Sequence, residues 1–151
     1  MVYAIKDTLK IIESKIKASG QVRYSQVGEP KAPPGSLPAA AIYMDSVRIY
    51  RTTVDGGTGE VHTVNVRIYA DMLLEPQEWN EYGLAEVAEN LVNALLIDAD
   101  LSSKIMQIDA AGMAGQGVAM NWGYLDVGGK MHRIVDISLP LLVNDSIAVA
   151  P

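Results

Sequence analysis

The sequence predicts an α+β fold: a mixed, mostly antiparallel sheet of four to five strands, with an N-terminal helix and a central helix packed on it in α-β-β-α-β-β order. Three observations predict it. Apolar residues recur at steps of three and four near the start of the chain and again across 84–95, the spacing of one helical stripe. Segments 41–53, 60–74, 118–127 and 130–143 carry β-branched and aromatic residues in approximate alternation, the period of a half-buried strand. The last two segments are joined through Gly128-Gly129, a two-residue signal for a type I′ hairpin, whose central positions both need positive φ.

Taken in order, Val2, Ile5, Leu9, Ile12 and Ile16 form the buried stripe of the first helix. Lys15 and Lys17 lie in its last turn, where cations offset the exposed carbonyls, and Gly20 suits the left-handed cap that ends it. After Val22–Tyr24 the segment QVGEPKAPPGSLP holds four prolines and two glycines, which exclude a helix interior and disfavour a central strand. Residues 25–38 are therefore expected to be a flexible surface loop, either a partner arm or a connector. In the strand that follows DGGTG at 55–59, Val64, Val66, Ile68 and Ala70 should face the core. Thr63, Asn65, Arg67, Tyr69 and Asp71 should meet water or another subunit.

The second helix is expected to begin near Pro76, with Glu75, Glu78 and Glu81 at its positive end. Its buried stripe should be Leu84, Val87, Ala88, Leu91 and Leu95, with Glu86, Glu89 and Asn93 outward and a possible break at Gly83. A short strand is expected within Ile105–Ala110, then a flexible glycine loop at 111–117. Val135, Ile137 and Leu139 should complete the core before a loose tail, 144–151.

At 151 residues the chain fits a single domain able to bury a core without disulfides or metals, and it contains no cysteine for either. The lysines interleaved in MVYAIKDTLKIIESKIK differ from the apolar core of a secretory signal, and no run approaches the roughly 20 apolar residues of a membrane span. A soluble protein without a membrane partner is the expectation. Net charge is −6, unevenly spread: residues 1–51 carry a balance of +4 and residues 52–151 a balance of −10. Eight acids and no base lie between Arg67 and Lys104, a stretch that repels nucleic acid phosphate. This asymmetry fits either a solvated face or a basic face of one copy meeting an acidic face of the next.

No chemistry assembles from the remaining residues. His62 and His132 are the only histidines and read as exposed strand positions beside acids, too few to ligate a metal. The Gly-x-x-Gly-x-Gly order at 112–117 lies between strand-like segments, not between a strand and a helix as dinucleotide binding needs. Ser25, Ser36, Ser102 and Ser103 lack a nucleophile-elbow context, and no cofactor is implied.

The whole-chain pattern resembles the tail terminator, or tail completion, proteins of long-tailed bacteriophages. The resemblance is carried by an amphipathic first helix (VYAIKDTLKIIESKI), a proline-rich loop (EPKAPPGSLPAAAIY), an Arg/Tyr-containing strand (VHTVNVRIYAD), a central helix (GLAEVAENLVNALL) and a closing hairpin (NWGYLDVGGKMHRIVDISLPL). It implies a non-enzymatic virion protein, assembled in the host cytoplasm as a six-fold ring that caps the tail tube, ends its polymerisation and meets the head connector. DNA would pass through the ring without specific binding. On that reading Lys6, Lys10, Arg48 and Arg51 of one copy approach Glu78, Glu86 and Glu89 of the next. Asp55, Gly56, Gly57 and Thr58, with Gly115, Gln116 and Gly117, become the contacts to tube or connector. Alternatives are a tail tube or head-closure protein, a small binding module using His62, Arg67 and Tyr69, and, in reserve, a hydrolase using Asp109, Asp126 or Asp136.

Overall fold

Two helices lie on one face of a twisted sheet, and a proline-rich strap crosses the other. The computed structural model describes residues 5–51, 58–71, 79–97, 107–110, 112 and 115–144. Helix α1 (Ile5–Ser19) is followed by strands β1 (Tyr24–Val27), β2 (Ala39–Arg51) and β3 (Thr58–Asp71). Helix α2 (Trp79–Leu96) then leads to β4 (Gln107–Ile108), β5 (Ala119–Val127) and β6 (Lys130–Asn144). The sheet order is β1-β2-β3-β6, with β5 and β4 in succession along the far side of β6. Only the β1–β2 pair is parallel. The fold is thus α+β in the expected order, the sixth strand being β1, three of whose four residues lie inside the 25–38 segment expected to be loop.

The core forms because the alternation of β3 and β6 and the stripes of both helices meet on one face. Ile12 and Ile16 of α1, Leu84, Leu91 and Leu95 of α2, Val64, Val66 and Ile68 of β3, and Val135, Ile137 and Leu139 of β6 are all within 1% of full burial. This is the helix face of the sheet. Ile5 departs from the expected stripe and is exposed at the helix start. Helix α2 runs through Gly83 without a break, because Leu84, Val87 and Leu91 anchor the turns after it. Its expected start at Pro76 lies outside the described residues, as does the tail beyond Asn144.

The opposite face is more covered than alternation alone suggests. Asn65 and Tyr69, expected to meet water or a subunit, are 7% and 1% exposed. The cover comes from residues 28–38. Glu29 reaches Arg67 on β3, Pro33 lies against Gly128 at the β5–β6 turn, and Leu37 packs on a second small core of Ala41, Tyr69, Val127 and Ile134. The strap is pinned at its ends by Gly28 N–H donating to Ile42 O at 2.8 Å and Arg23 N–H donating to Pro38 O at 2.8 Å. Of the two readings open for this segment, partner arm or connector, the structure shows a crossover that connects the two parallel strands, as a parallel pair requires.

Both histidines are buried, which corrects their reading as exposed strand positions. His62 lies on the helix face, 2.6 Å from the Glu60 carboxylate through Nε2. His132 lies under the strap, its Nδ1 3.0 Å from Lys130 O and its ring edge-on to Tyr69. The reason is positional: β3 and β6 are central strands, covered on both faces, so polarity no longer tells inside from outside.

The β5–β6 hairpin closes as expected, with Gly128 and Gly129 at φ 58° and 88°. Gly128 carries a second constraint, since a Cβ there would lie 2.8 Å from Pro33 Cδ.

Candidate functional site

The strap face carries two polar groupings. The first spans β2, β3 and β6, where Arg67 makes a forked contact with Asp136, Nε donating to Oδ1 at 2.7 Å and Nη2 to Oδ2 at 3.2 Å. Asn65 Nδ2 donates to the same Asp136 oxygen at 3.0 Å and to the Tyr43 hydroxyl at 2.8 Å. Arg67 also donates to Glu29 at 3.3 Å and lies 5.5 Å from the Tyr43 ring centre. Burial disfavours the Arg67 charge, but the hydrogen bonds and charge of Asp136 more than offset it and hold the guanidinium above its usual range. Burial pushes Tyr43 up to about 12 despite the nearby Arg67 cation, and Tyr69 is raised chiefly by burial as well. Arg67, Asp136, Asn65 and Tyr43 are thus bonded to one another. The grouping binds the strap to the sheet and leaves Arg67 and Tyr69 unavailable as the ligand-facing pair that a binding-module reading needs.

The second grouping is a cleft of about 220 Å³ further along the same face, lined by Asp45, Ser46, Arg48, Val61, Thr63, Gln116, Gly117, Ser138 and Pro140. Two local devices build it. A β-bulge between Met44 and Ser46 shifts the β2 register, so that Ser46 pairs with Thr63 and Arg48 with Val61 on the strap face. Without the extra residue Asp45, Ser46 would follow Met44 onto the helix face. The glycine loop then closes the far wall, tied by Val118 N–H to Ala110 O at 3.4 Å and Gly115 N–H to Gly112 O at 3.2 Å. Arg48 packs so closely on Gly115 that any side chain at 115 would overlap its guanidinium.

The structure thus brings together residues that the sequence divides between two contacts. Arg48, from the expected subunit interface, meets Gly115, Gln116 and Gly117, from the expected tube contact. It does not bring Arg48 to Lys6 and Lys10, which are exposed on α1 on the opposite face of the sheet. Glu86 and Glu89 are exposed on α2. Arg51 and Thr58 pair in register where β2 meets β3. Asp55, Gly56, Gly57 and Glu78 lie outside the described residues. Thr63 lies on the face that alternation assigns it, whereas Ser46 had no signal in the sequence, because the bulge that turns it to this face is a feature of pairing and leaves no motif.

At the two lateral edges of the sheet, strand backbone has no strand partner among the described residues. These are β2 beyond Ile42, which exposes Val47 and Ile49, and the outer side of β5, which exposes Trp122 and Tyr124. Arg133 lies 4.5 Å over the Tyr124 ring and bonds Glu81 at 3.1 Å, tying the first turn of α2 to the hairpin. Among the described residues no group of three or more His, Cys, Asp or Glu could hold a metal ion, and no helix is long and apolar enough to cross a membrane.

No family model and no curated protein sequence matches the chain. Among solved structures it is similar to a chain of the virion of a native gene transfer agent particle, at 14% identity and a TM-score of 0.35, over 93% of this chain and 98% of that one. A likeness that loose carries no argument about function.

Proposed function

We propose that this chain is a structural protein of a phage-type virion, a subunit of a closed ring that caps the tail tube, ends its polymerisation and joins it to the head connector. It does so without catalysis or cofactor. The observation that carries the ring is the distribution of charge and open edge across the sheet. Helix α1, with exposed Lys6 and Lys10, packs over β1 and β2, while α2, with exposed Glu86 and Glu89, packs over β3 and β6. The open edges of β2 and β5 lie on those same two sides. Two unlike flanks of one molecule make a heterologous contact, which closes into a ring when the rotation between copies permits. Lys6 and Lys10 of one copy then face Glu86 and Glu89 of the next, while Arg48, on the other face, belongs to a different contact. A tail tube or head-closure ring is the second reading, since the same flanks would serve it; stacking separates them, because a tube polymerises and a terminator stops at one ring.

Native mass spectrometry at low and high salt tests the flank pairing. A ring that loosens as salt rises, and in Glu86→Lys combined with Glu89→Lys, is the expected outcome. A ring indifferent to both contradicts it.

A further inference from the structure

We propose that the sheet runs on from one copy to the next, the outer edge of β5 pairing antiparallel with residues 46–51 of β2 in a second copy. This deepens the ring reading and rests on it. Both edges direct main-chain groups outward at apolar residues. On β2 the Ile42 carbonyl accepts from Gly28 on the outer side, and alternation carried through the bulge, where Ser46 pairs with Thr63 and Arg48 with Val61, turns the N–H and C=O of Val47 and Ile49 outward as well. On β5, Val127 pairs with Lys130 across the two-residue turn, so alternation turns Trp122 and Tyr124 away from β6. These four residues are 40–59% exposed. Their side chains share the helix face, since Val47 and Ile49 lie opposite His62 and Glu60, and Trp122 and Tyr124 opposite Val135 and Arg133.

Three antiparallel steps separate β2 from β5, so copies set side by side in one orientation bring these edges together antiparallel, helix face beside helix face. Ile49 then pairs with Trp122 and Val47 with Tyr124, each a hydrogen-bonded pair and each an aromatic against a β-branched side chain. The Asp45 bulge ends the ladder before Asp126 faces it. Two facts select β2 of a second copy as the occupant. The nine residues of β5 hold no Lys, Arg or Pro and one acid, Asp126 beside the turn, so this edge lacks the devices that keep an exposed strand single. Pairing β5 with itself about a two-fold axis would set α2 beside α2, with Glu86 and Glu89 against the same acids, whereas β2 brings Lys6 and Lys10 of α1 to them.

The chain has no cysteine, so introduced pairs report the register directly. Ile49→Cys combined with Trp122→Cys in the full chain should, on oxidation, form disulfide-linked ladders up to the ring on non-reducing gels. Ile49→Cys combined with Asn121→Cys, whose side chain takes the other face, should not. In the unaltered protein, amide hydrogen exchange at Val47, Ile49, Trp122 and Tyr124 should slow roughly tenfold or more on assembly, which native mass spectrometry follows on the same samples. Closed rings in which these four amides stay unprotected would overturn the pairing and leave the ring reading standing; a chain monomeric at every concentration would overturn both. Ladders equally strong with Asn121→Cys, or Trp122→Cys alone linking into dimers as fully as the double variant links into ladders, would also overturn it, the latter by showing β5 paired with itself.

Discussion

Asp136 accepts three hydrogen bonds, two from Arg67 and one from Asn65, and so organises the strap face at the level of single atoms. Asp136→Ala would leave a partly buried guanidinium without its main partner, and we expect a loss of about 2 kcal/mol in unfolding free energy by urea denaturation, within the range for bonds to charged groups. Asp136→Asn should lose less, because it keeps one acceptor. Tyr43 gives a second prediction with a definite sign. In the folded chain it keeps its proton to about 12, whereas an unfolded tyrosine loses it near 10. Between those values the unfolded state binds fewer protons, so stability falls as pH rises through that window and is unaffected below it. Tyrosinate absorbance should show a late-ionising component to which Tyr69 also contributes, and Tyr43→Phe should reduce its amplitude; an amplitude unchanged in the variant would count against the assignment to Tyr43. Little of this network was legible beforehand. Arg67 and Asp136 lie 69 positions apart and meet only because β3 and β6 pair in the register Arg67↔Asp136. The burial of His62 and His132 was hidden for the same reason, since single-strand alternation does not reveal that both faces of a strand are covered.

Elements with a strong local signal were legible. The Val64, Val66, Ile68, Ala70 run of β3, the stripe of α2 and the Gly128-Gly129 turn are where periodicity and turn chemistry place them, because in each a short-range rule and the tertiary environment agree. The strap was half legible. Its prolines exclude helix and central strand, yet nothing in them says that Pro33 will lie on Gly128 or that Leu37 will cap Tyr69. We expect Gly128→Ala to combine left-handed strain with displacement of Pro33 and to cost about 1–2 kcal/mol. Gly129→Ala, at positive φ but with open space around its Cβ position, should cost only the strain. Thermal unfolding of the two variants checks the difference, and limited proteolysis at Lys31 should be faster in Gly128→Ala alone. Equal loss and equal cleavage would mean that Pro33 is not a structural contact. The Asp45 bulge was illegible for a different reason: one extra residue in a paired strand changes which face every later side chain takes, and the sequence of β2 reads equally well in either register.

At the scale of the whole molecule, charge is the property that sequence and structure share most directly. The basic first third becomes a helix over β1 and β2, and the acidic middle becomes a helix over β3 and β6, so a gradient along the chain turns into a gradient across the sheet. On the proposed ring reading, this gradient would draw copies together flank to flank, and the unlike open edges of β2 and β5 would make that attraction directional. The interface set read from the sequence is divided by the fold: Lys6, Lys10, Glu86 and Glu89 stay in the helix layer, while Arg48 moves to the strap face and joins Gly115, Gln116 and Gly117. The two groups are therefore expected to have separable phenotypes, with helix-layer charge reversals acting on assembly independently of substitutions in the strap-face cleft. The central claim, that the chain closes into a single ring at the end of a tube, is tested most directly by negative-stain electron microscopy of the purified protein mixed with tail tubes from its parent particle. Closed rings seated singly on tube ends are the predicted result; monomers that ignore the tubes, or rings that stack into long polymers, would contradict it.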